Sequence, residues 1–101
     1  MKKGLIQKLN KHFDHRIRLG IMSVLMVNEW ATFSELKDFL GATDGNLASH
    51  LKTLEREKYI LIEKKFVARK PQTSYKVSPF GKSRFQEHLN ALESLLNPNE
   101  K

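Results

Sequence analysis

Apolar positions along the chain change their spacing near residue 60. Before it they follow a helical period: Leu36, Phe39 and Leu40 are expected on the inner side of a helix over 34–40. Leu47, Leu51 and Leu54 then fall at i, i+4 and i+7, so they share one face of a second helix over 43–57. Gly41-Ala42-Thr43 separates the two. Ser34 is expected to cap the first helix and Thr43 the second, because a hydroxyl there accepts from an otherwise unpaired N–H. Two helices joined by a tight, glycine-containing turn form a helix-turn-helix pattern over 34–57. From Ile60 to Val67 the chain is β-branched, apolar and partly alternating, which predicts a strand. Residues 68–73 form a polar break containing Pro71, and Ser74-Tyr75-Lys76-Val77 returns as a second strand. Helix, turn, helix and a hairpin (60–77) tipped with Arg69 and Lys70 is the order of a winged helix. The fold class is therefore α+β, mainly α: a winged helix-turn-helix with a two-stranded wing.

The flanking segments are helical. Residues 2–12, from Lys2 to His12, read as a short helix with Leu5, Ile6 and Leu9 on one side, which needs a packing partner in this chain or a second copy. Asp14 is expected to cap the next helix. That helix, Arg16 to Val27, carries apolar residues on nearly all sides and is expected to be buried from several directions. Gly20 within it costs about 1 kcal/mol relative to alanine, so a close neighbour is expected there. Asn28 and Glu29 end the helix, and residues 30–33 form an extended link with room for a short third strand against the wing. Ser78-Pro79 opens a last helix over 79–96, with Ser as N-cap and Pro at the first helical position. Phe85, Leu89, Leu92 and Leu96 recur along it at heptad-like spacing, with Ala91 and Leu95 beside them. Such a stripe either folds back onto its own core or pairs with a symmetry mate. Residues 97–101 read as a terminator. No repeat or linker divides the sequence, so 1–101 is read as one domain.

Composition narrows the function. The formal net charge is +7, which favours a polyanionic partner, with nucleic acid ahead of an anionic membrane surface. No apolar run is long enough to span a membrane and no signal-peptide block follows the N-terminal lysines, so a cytoplasmic location is expected. The absence of cysteine removes disulfides, thiolate metal sites and cysteine nucleophiles together. No carboxylate pair, glycine-rich phosphate loop or nucleophile elbow is present, and an enzyme is not expected. His12 and His15 near Asp14, with Glu87-His88, would offer metal ligands only if the terminal helices met across a dimer. Four histidines on a basic chain need no such cause, and neither metal nor cofactor is assigned. On the second helix of the motif, a rotation of 100° per residue points Gly45, Ser49, Lys52 and Arg56 directly away from Leu47, Leu51 and Leu54. Asn46 and Thr53 flank them, and His50 lies nearer the boundary. A merely solvated face would carry mixed Glu and Lys at i, i+4. Small polar residues followed by cations instead leave room for a duplex.

These residues resemble bacterial and archaeal winged-helix transcriptional regulators over nearly the whole chain. HRIRLGIMSVL resembles the hxxRlxIL core helix of the arsenic-responsive (ArsR) and multiple-antibiotic-resistance (MarR) groups. TFSELKDFLGATDGNLASHLKTLEREKYI resembles their supporting and recognition helices. KKFVARKPQTSYKVSPFGKSRF resembles the wing and the entry to a C-terminal dimerisation helix. The resemblance implies a homodimer on double-stranded DNA, with the recognition helix in the major groove. Asp44, Gly45, Asn46, Ser49, His50 and Thr53 would face DNA, with Arg69 and Lys70 at the wing tip. Thr43, Lys52, Arg56 and Lys65 complete the expected DNA-binding set. Surplus apolar residues at both ends complete the expected dimer set: Leu5, Ile6, Leu9, Leu89, Leu92, Leu95 and Leu96. The reading is sequence-specific DNA binding by a transcriptional regulator on a roughly palindromic operator. The alternative is a winged helix used for protein contact or RNA within a larger complex.

Overall fold

Side-chain caps decide where the helices of this chain begin. The computed structural model describes residues 4–97. Its elements run α1 (Leu5–Lys8), a 3-10 turn (Lys11–Phe13), α2 (Arg16–Val27), β1 (Ala31–Thr32), α3 (Phe33–Leu40), α4 (Asp44–Arg56), β2 (Ile60–Val67), β3 (Lys70–Val77) and α5 (Pro79–Leu96). Thr32, not Ser34, caps α3. Its Oγ1 accepts the Glu35 N–H at 3.1 Å, while Glu35 Oε1 accepts the Thr32 N–H at 2.8 Å. This reciprocal box satisfies two orphan donors where a lone serine satisfies one. Thr43 caps α4 through the Asn46 N–H. His15, not Asp14, caps α2: its Nδ1 accepts the Ile17 N–H at 3.1 Å, and Asp14 instead closes the preceding 3-10 turn. Ser78 Oγ accepts the Gly81 N–H and donates to the carbonyl of Lys58, tying the start of α5 to the end of the motif.

The three strands form an antiparallel sheet in the order β1-β3-β2, with Ala31 opposite Tyr75 and Ile60 opposite Val77. The wing ladder continues to Val67 opposite Lys70. The polar break of the wing is therefore only Ala68-Arg69, and Lys70 to Thr73 belong to the strand. Backbone pairing overrides the local polarity there.

The core lies between α2, α3, α4, the sheet and α5. Phe13, Ile21, Met22, Leu25, Leu36, Leu47, Leu54, Ile60 and Phe85 are buried in it. Gly20 has its neighbour: a Cβ there would stand 2.6 Å from Leu40 Cδ2. Three expectations are corrected. α2 turns Ile17, Ile21, Met22 and Leu25 into the core, with Val24 and Met26 partly buried against it, but it is not packed all round: Leu19 and Val27 are exposed. Phe39 is 76% exposed rather than inward. It lines an open apolar hollow of about 390 Å³ with Val27 and Trp30, because Leu36 and Leu40 already fill the inner side of a short helix. The N-terminal helix stops at Lys8. Asn10 breaks it by accepting the His12 N–H on its side chain and donating its own N–H to His88 Nδ1 at 2.9 Å. Lys2 and Lys3 of that expected helix, and residues 98–101 of the expected terminator, lie outside the described residues.

α5 turns Gly81, Phe85, His88 and Ala91 inward with Leu89 partly buried beside them, so the first half of the heptad-like stripe folds onto the core while Leu92 and Leu96 stay exposed. Phe13 gathers Tyr59 and Phe85 around it at 5.1 Å between ring centroids, and His88 at 5.4 Å. Gly81 is required by a close approach, since a Cβ would stand 2.0 Å from the Tyr59 carbonyl oxygen.

Candidate nucleic-acid interface

α4 holds its outer residues in place by burying Leu47, Leu51 and Leu54 against the core. Thr43, Asp44, Gly45, Asn46, Ser49, Lys52 and Arg56 are then exposed, while His50 and Thr53 sit half-buried at the margins. Around Gly45 an added Cβ would meet nothing within 4 Å, so the helix backbone itself is open to approach. The Thr53 hydroxyl donates to the Ser49 carbonyl one turn back, at 3.2 Å. Asp44 is not a bare acid: its carboxylate lies 2.9 Å from Lys37 Nζ. The bond and charge of Asp44 hold the Lys37 ammonium above its usual pKa. Arg56 lies 3.8 Å from its neighbour Glu57, a loose contact that leaves it 65% exposed.

The wing presents a second set of cations. Ala68 and Arg69 both take the left-handed conformation, with φ of 51° and 68°, and close the hairpin as a two-residue turn. Arg69 is at that tip. Lys70 starts β3, one position behind the tip, and is exposed. Lys65 is exposed with its ammonium 3.6 Å from Glu63. Exposed apolar Phe66 and Val67 share the distal wing with them.

The expected dimer residues do not stay together. Leu5 is buried where α1 packs on α5, and Leu89 turns partly into the core. Both are satisfied within the chain. Ile6, Leu92 and Leu96 remain exposed, with Leu9 and Leu95 half-buried. The histidines disperse as well. His12 Nε2 lies 3.4 Å from Glu57, His88 is buried beside Phe13, and His15 lies against His50 with the rings tilted by 36°. Among the described residues no three His, Asp or Glu side chains gather in a metal-binding group. No helix among them is long and apolar enough to cross a membrane.

One neighbour of the α4 face was missed in the sequence. Arg18 Nη1 donates to His50 Nδ1 at 3.1 Å, and the His15 ring centroid lies 4.1 Å from that of His50. Burial, followed by the charges of His15 and Arg18, lowers the His50 pKa below its usual value. His15 and Arg18 sit i, i+3 on one helix face, which is legible. Nothing local pairs residue 18 with residue 50.

Comparison with known proteins agrees with this architecture. The family model for the winged helix DNA-binding domain matches residues 17–96. An uncharacterised protein of Methanocaldococcus jannaschii is 32% identical over 79 residues, 78% of this chain and 86% of that relative. A solved transcriptional regulator homologue from Pyrococcus horikoshii superposes with a TM-score of 0.85 at 29% identity, covering 99% of this chain and all of that one. The Staphylococcus aureus MepR–DNA complex shares the fold with a TM-score of 0.73 at 15% identity, over 90% of this chain and 74% of that one.

Proposed function

The chain belongs to the winged helix DNA-binding domain family, and from that premise we propose that it binds specific double-stranded sequences as a homodimeric transcriptional regulator. Its family and fold are those of DNA-binding regulators rather than enzymes. In this reading residues 34–57, 60–77 and 79–96 are the helix-turn-helix, the wing and the pairing helix of one domain. α4 enters the major groove. Asn46, Ser49 and Thr53 face base edges, Thr43, Asp44, Gly45 and His50 border them, and Lys52 and Arg56 meet phosphates. Lys65, Arg69 and Lys70 carry the wing onto the neighbouring backbone. Two such protomers read the halves of a roughly palindromic operator.

The observation that carries this reading is the outer face of α4, which is open, unobstructed over Gly45 and free of large side chains at its N-terminal end. Groove entry needs a helix whose backbone can approach bases, flanked by cations for the phosphates. Selection from a random duplex pool identifies the bound sequence, and a salt titration then tests the mode. If the dimer neutralises about 6 to 10 phosphates, log affinity falls against log salt with a slope near −0.9 per contact. A flat response between about 50 and 200 mM salt would remove the DNA reading and leave protein contact in its place.

A further inference from the structure

We propose that His15, Arg18 and His50 form a seat for a DNA backbone phosphate where the start of α2 meets the middle of α4. The inference rests on the DNA-binding reading and extends the contact surface to a helix outside the helix-turn-helix. Three groups that carry or can carry positive charge are packed together there. Arg18 Nε donates to the His12 carbonyl at 2.6 Å and Nη1 donates to His50 Nδ1 at 3.1 Å, so the guanidinium is fixed from two sides. The imidazoles of His15 and His50 lie 4.1 Å apart between centroids. Among the described residues none of the three is in an ion pair. Of the carboxylates that follow His50 on α4 and its C-cap, Glu57 is engaged by His12 at 3.4 Å and Glu55 lies toward Tyr75. Asp14, next to His15, is exposed, and no carboxylate is among the causes that act on His50.

The position makes the cluster unfavourable in the free chain. The N-terminus of α2 is the positive end of its dipole, where acidic side chains stabilise and cations do not. α2 has no acidic residue in its first turn and begins His15-Arg16-Ile17-Arg18. A bound anion relieves all of this at once: the uncompensated guanidinium, the two adjacent imidazoles and the helix end. The duplex beside α4 supplies such an anion, because His50 stands at the edge of the face that reads the groove.

The hydrogen bonds fix the tautomer of the neutral rings. Both Nδ1 atoms accept, His15 from the Ile17 N–H and His50 from Arg18, so each neutral ring carries its proton on Nε2. Each ring therefore has an N–H to offer a phosphate. A phosphate placed there also raises the His50 pKa, with the Arg18 guanidinium turning from Nδ1 to the phosphate, because a protonated ring can no longer accept from it. A bound value above the free value means that binding takes up a proton at His50, so affinity rises as pH falls through roughly 7 to 5.

The test combines ring titration by NMR, with and without the selected duplex, and salt titrations of variants. His15→Asn keeps an N-cap acceptor while removing the imidazole. It is paired with His50→Gln. Arg18→Gln removes the fixed charge, and Arg18→Lys restores it. The expected results are an upward shift of the His50 pKa on duplex binding and a loss of the pH-dependent gain in the His15→Asn/His50→Gln double variant. Arg18→Gln is expected to make the salt slope shallower by about 0.9 per protomer, with Arg18→Lys restoring it. If Arg18→Gln unfolds, the histidine variants and the ring titration decide alone. A wild-type chain that binds the duplex while the His50 pKa stays put, and whose variants keep the parent slope and pH profile, overturns the seat and leaves the DNA reading standing. A wild-type chain without duplex affinity overturns both. Inorganic phosphate that shifts the rings when the duplex does not would mark a free-anion site and also overturn the proposal.

Discussion

Gly45 separates stability from function more cleanly than any other residue of the α4 face. It sits in a helix with ordinary negative φ, and a Cβ there would touch nothing. Gly45→Ala should therefore stabilise the fold by about 0.5 to 1 kcal/mol, by the ordinary helix preference of alanine. The same methyl would stand where the backbone is proposed to approach the duplex, so DNA affinity should fall as the melting temperature rises. If both rise together, the duplex does not come close at Gly45. His50 makes a second residue-scale prediction. Burial, with His15 and Arg18, lowers its folded pKa below the usual value of 6.5. Its neutral form thus contributes stability that is complete above about pH 6.5 and is lost as pH falls through the lowered folded value. Thermal melts between about pH 5 and 7.5 should fall less steeply for His50→Gln than for the parent. Rotation about the helix axis made the outward set of α4 legible from spacing alone. The Arg18 contact was not legible, because it joins residues 32 apart in sequence through a tertiary approach.

At the scale of elements, α4 and the wing are proposed to divide the work. Asn46→Ala or Ser49→Ala should change base preference at one or two operator positions, at about 1 to 3 kcal/mol for each lost base contact. Arg69→Ala should weaken all duplexes about equally and make the salt slope shallower, since the wing tip offers charge without a surface shaped for base edges. Repeating the pool selection with each variant checks this, and a wing variant that changes preference while the helix variants do not would reverse the assignment. The order of elements could be read because α4 keeps its period through Leu47, Leu51 and Leu54 and β2 breaks it. Their ends were harder. Ala68-Arg69 closes the hairpin without the Asn-Gly or Asp-Gly pair that normally marks such a turn, so four strand residues were read as loop. The caps at Thr32 and His15 were displaced by one or two residues for a related reason. Glu35 and the Ile17 N–H choose between adjacent polar side chains, and composition does not. Phe39 faced outward because a two-turn helix has room for only one inner row.

The described residues span 56 × 25 × 21 Å and offer one candidate recognition helix, α4. One small module buries about 600 to 1,000 Å² on DNA, little for a specific regulator. A two-fold pair doubles the contacts and places two α4 helices about 34 to 36 Å apart, or a multiple of that, to match successive turns of the duplex. The surface proposed for pairing is narrower than the apolar stripes of the sequence. Leu5 is spent on the α1–α5 contact and Leu89 on the core. Ile6 at 65% exposure, Leu92 at 41% and Leu96 at 73% remain, flanked by Leu9 and Leu95. α5 spans about 27 Å at 1.5 Å per residue, long enough for an isologous contact along its second half. Leu92→Glu and Leu96→Glu change exposed positions, so the monomer fold and its α4 face should be preserved. Sedimentation at micromolar concentration should show a dimer for the parent and a monomer for the double variant, with tight operator binding lost in step. A parent chain that sediments as a monomer yet binds a palindromic operator tightly would sink the proposal. A double variant that stays dimeric would place the contact elsewhere, with the hollow lined by Val27, Trp30 and Phe39 as the next apolar surface to test.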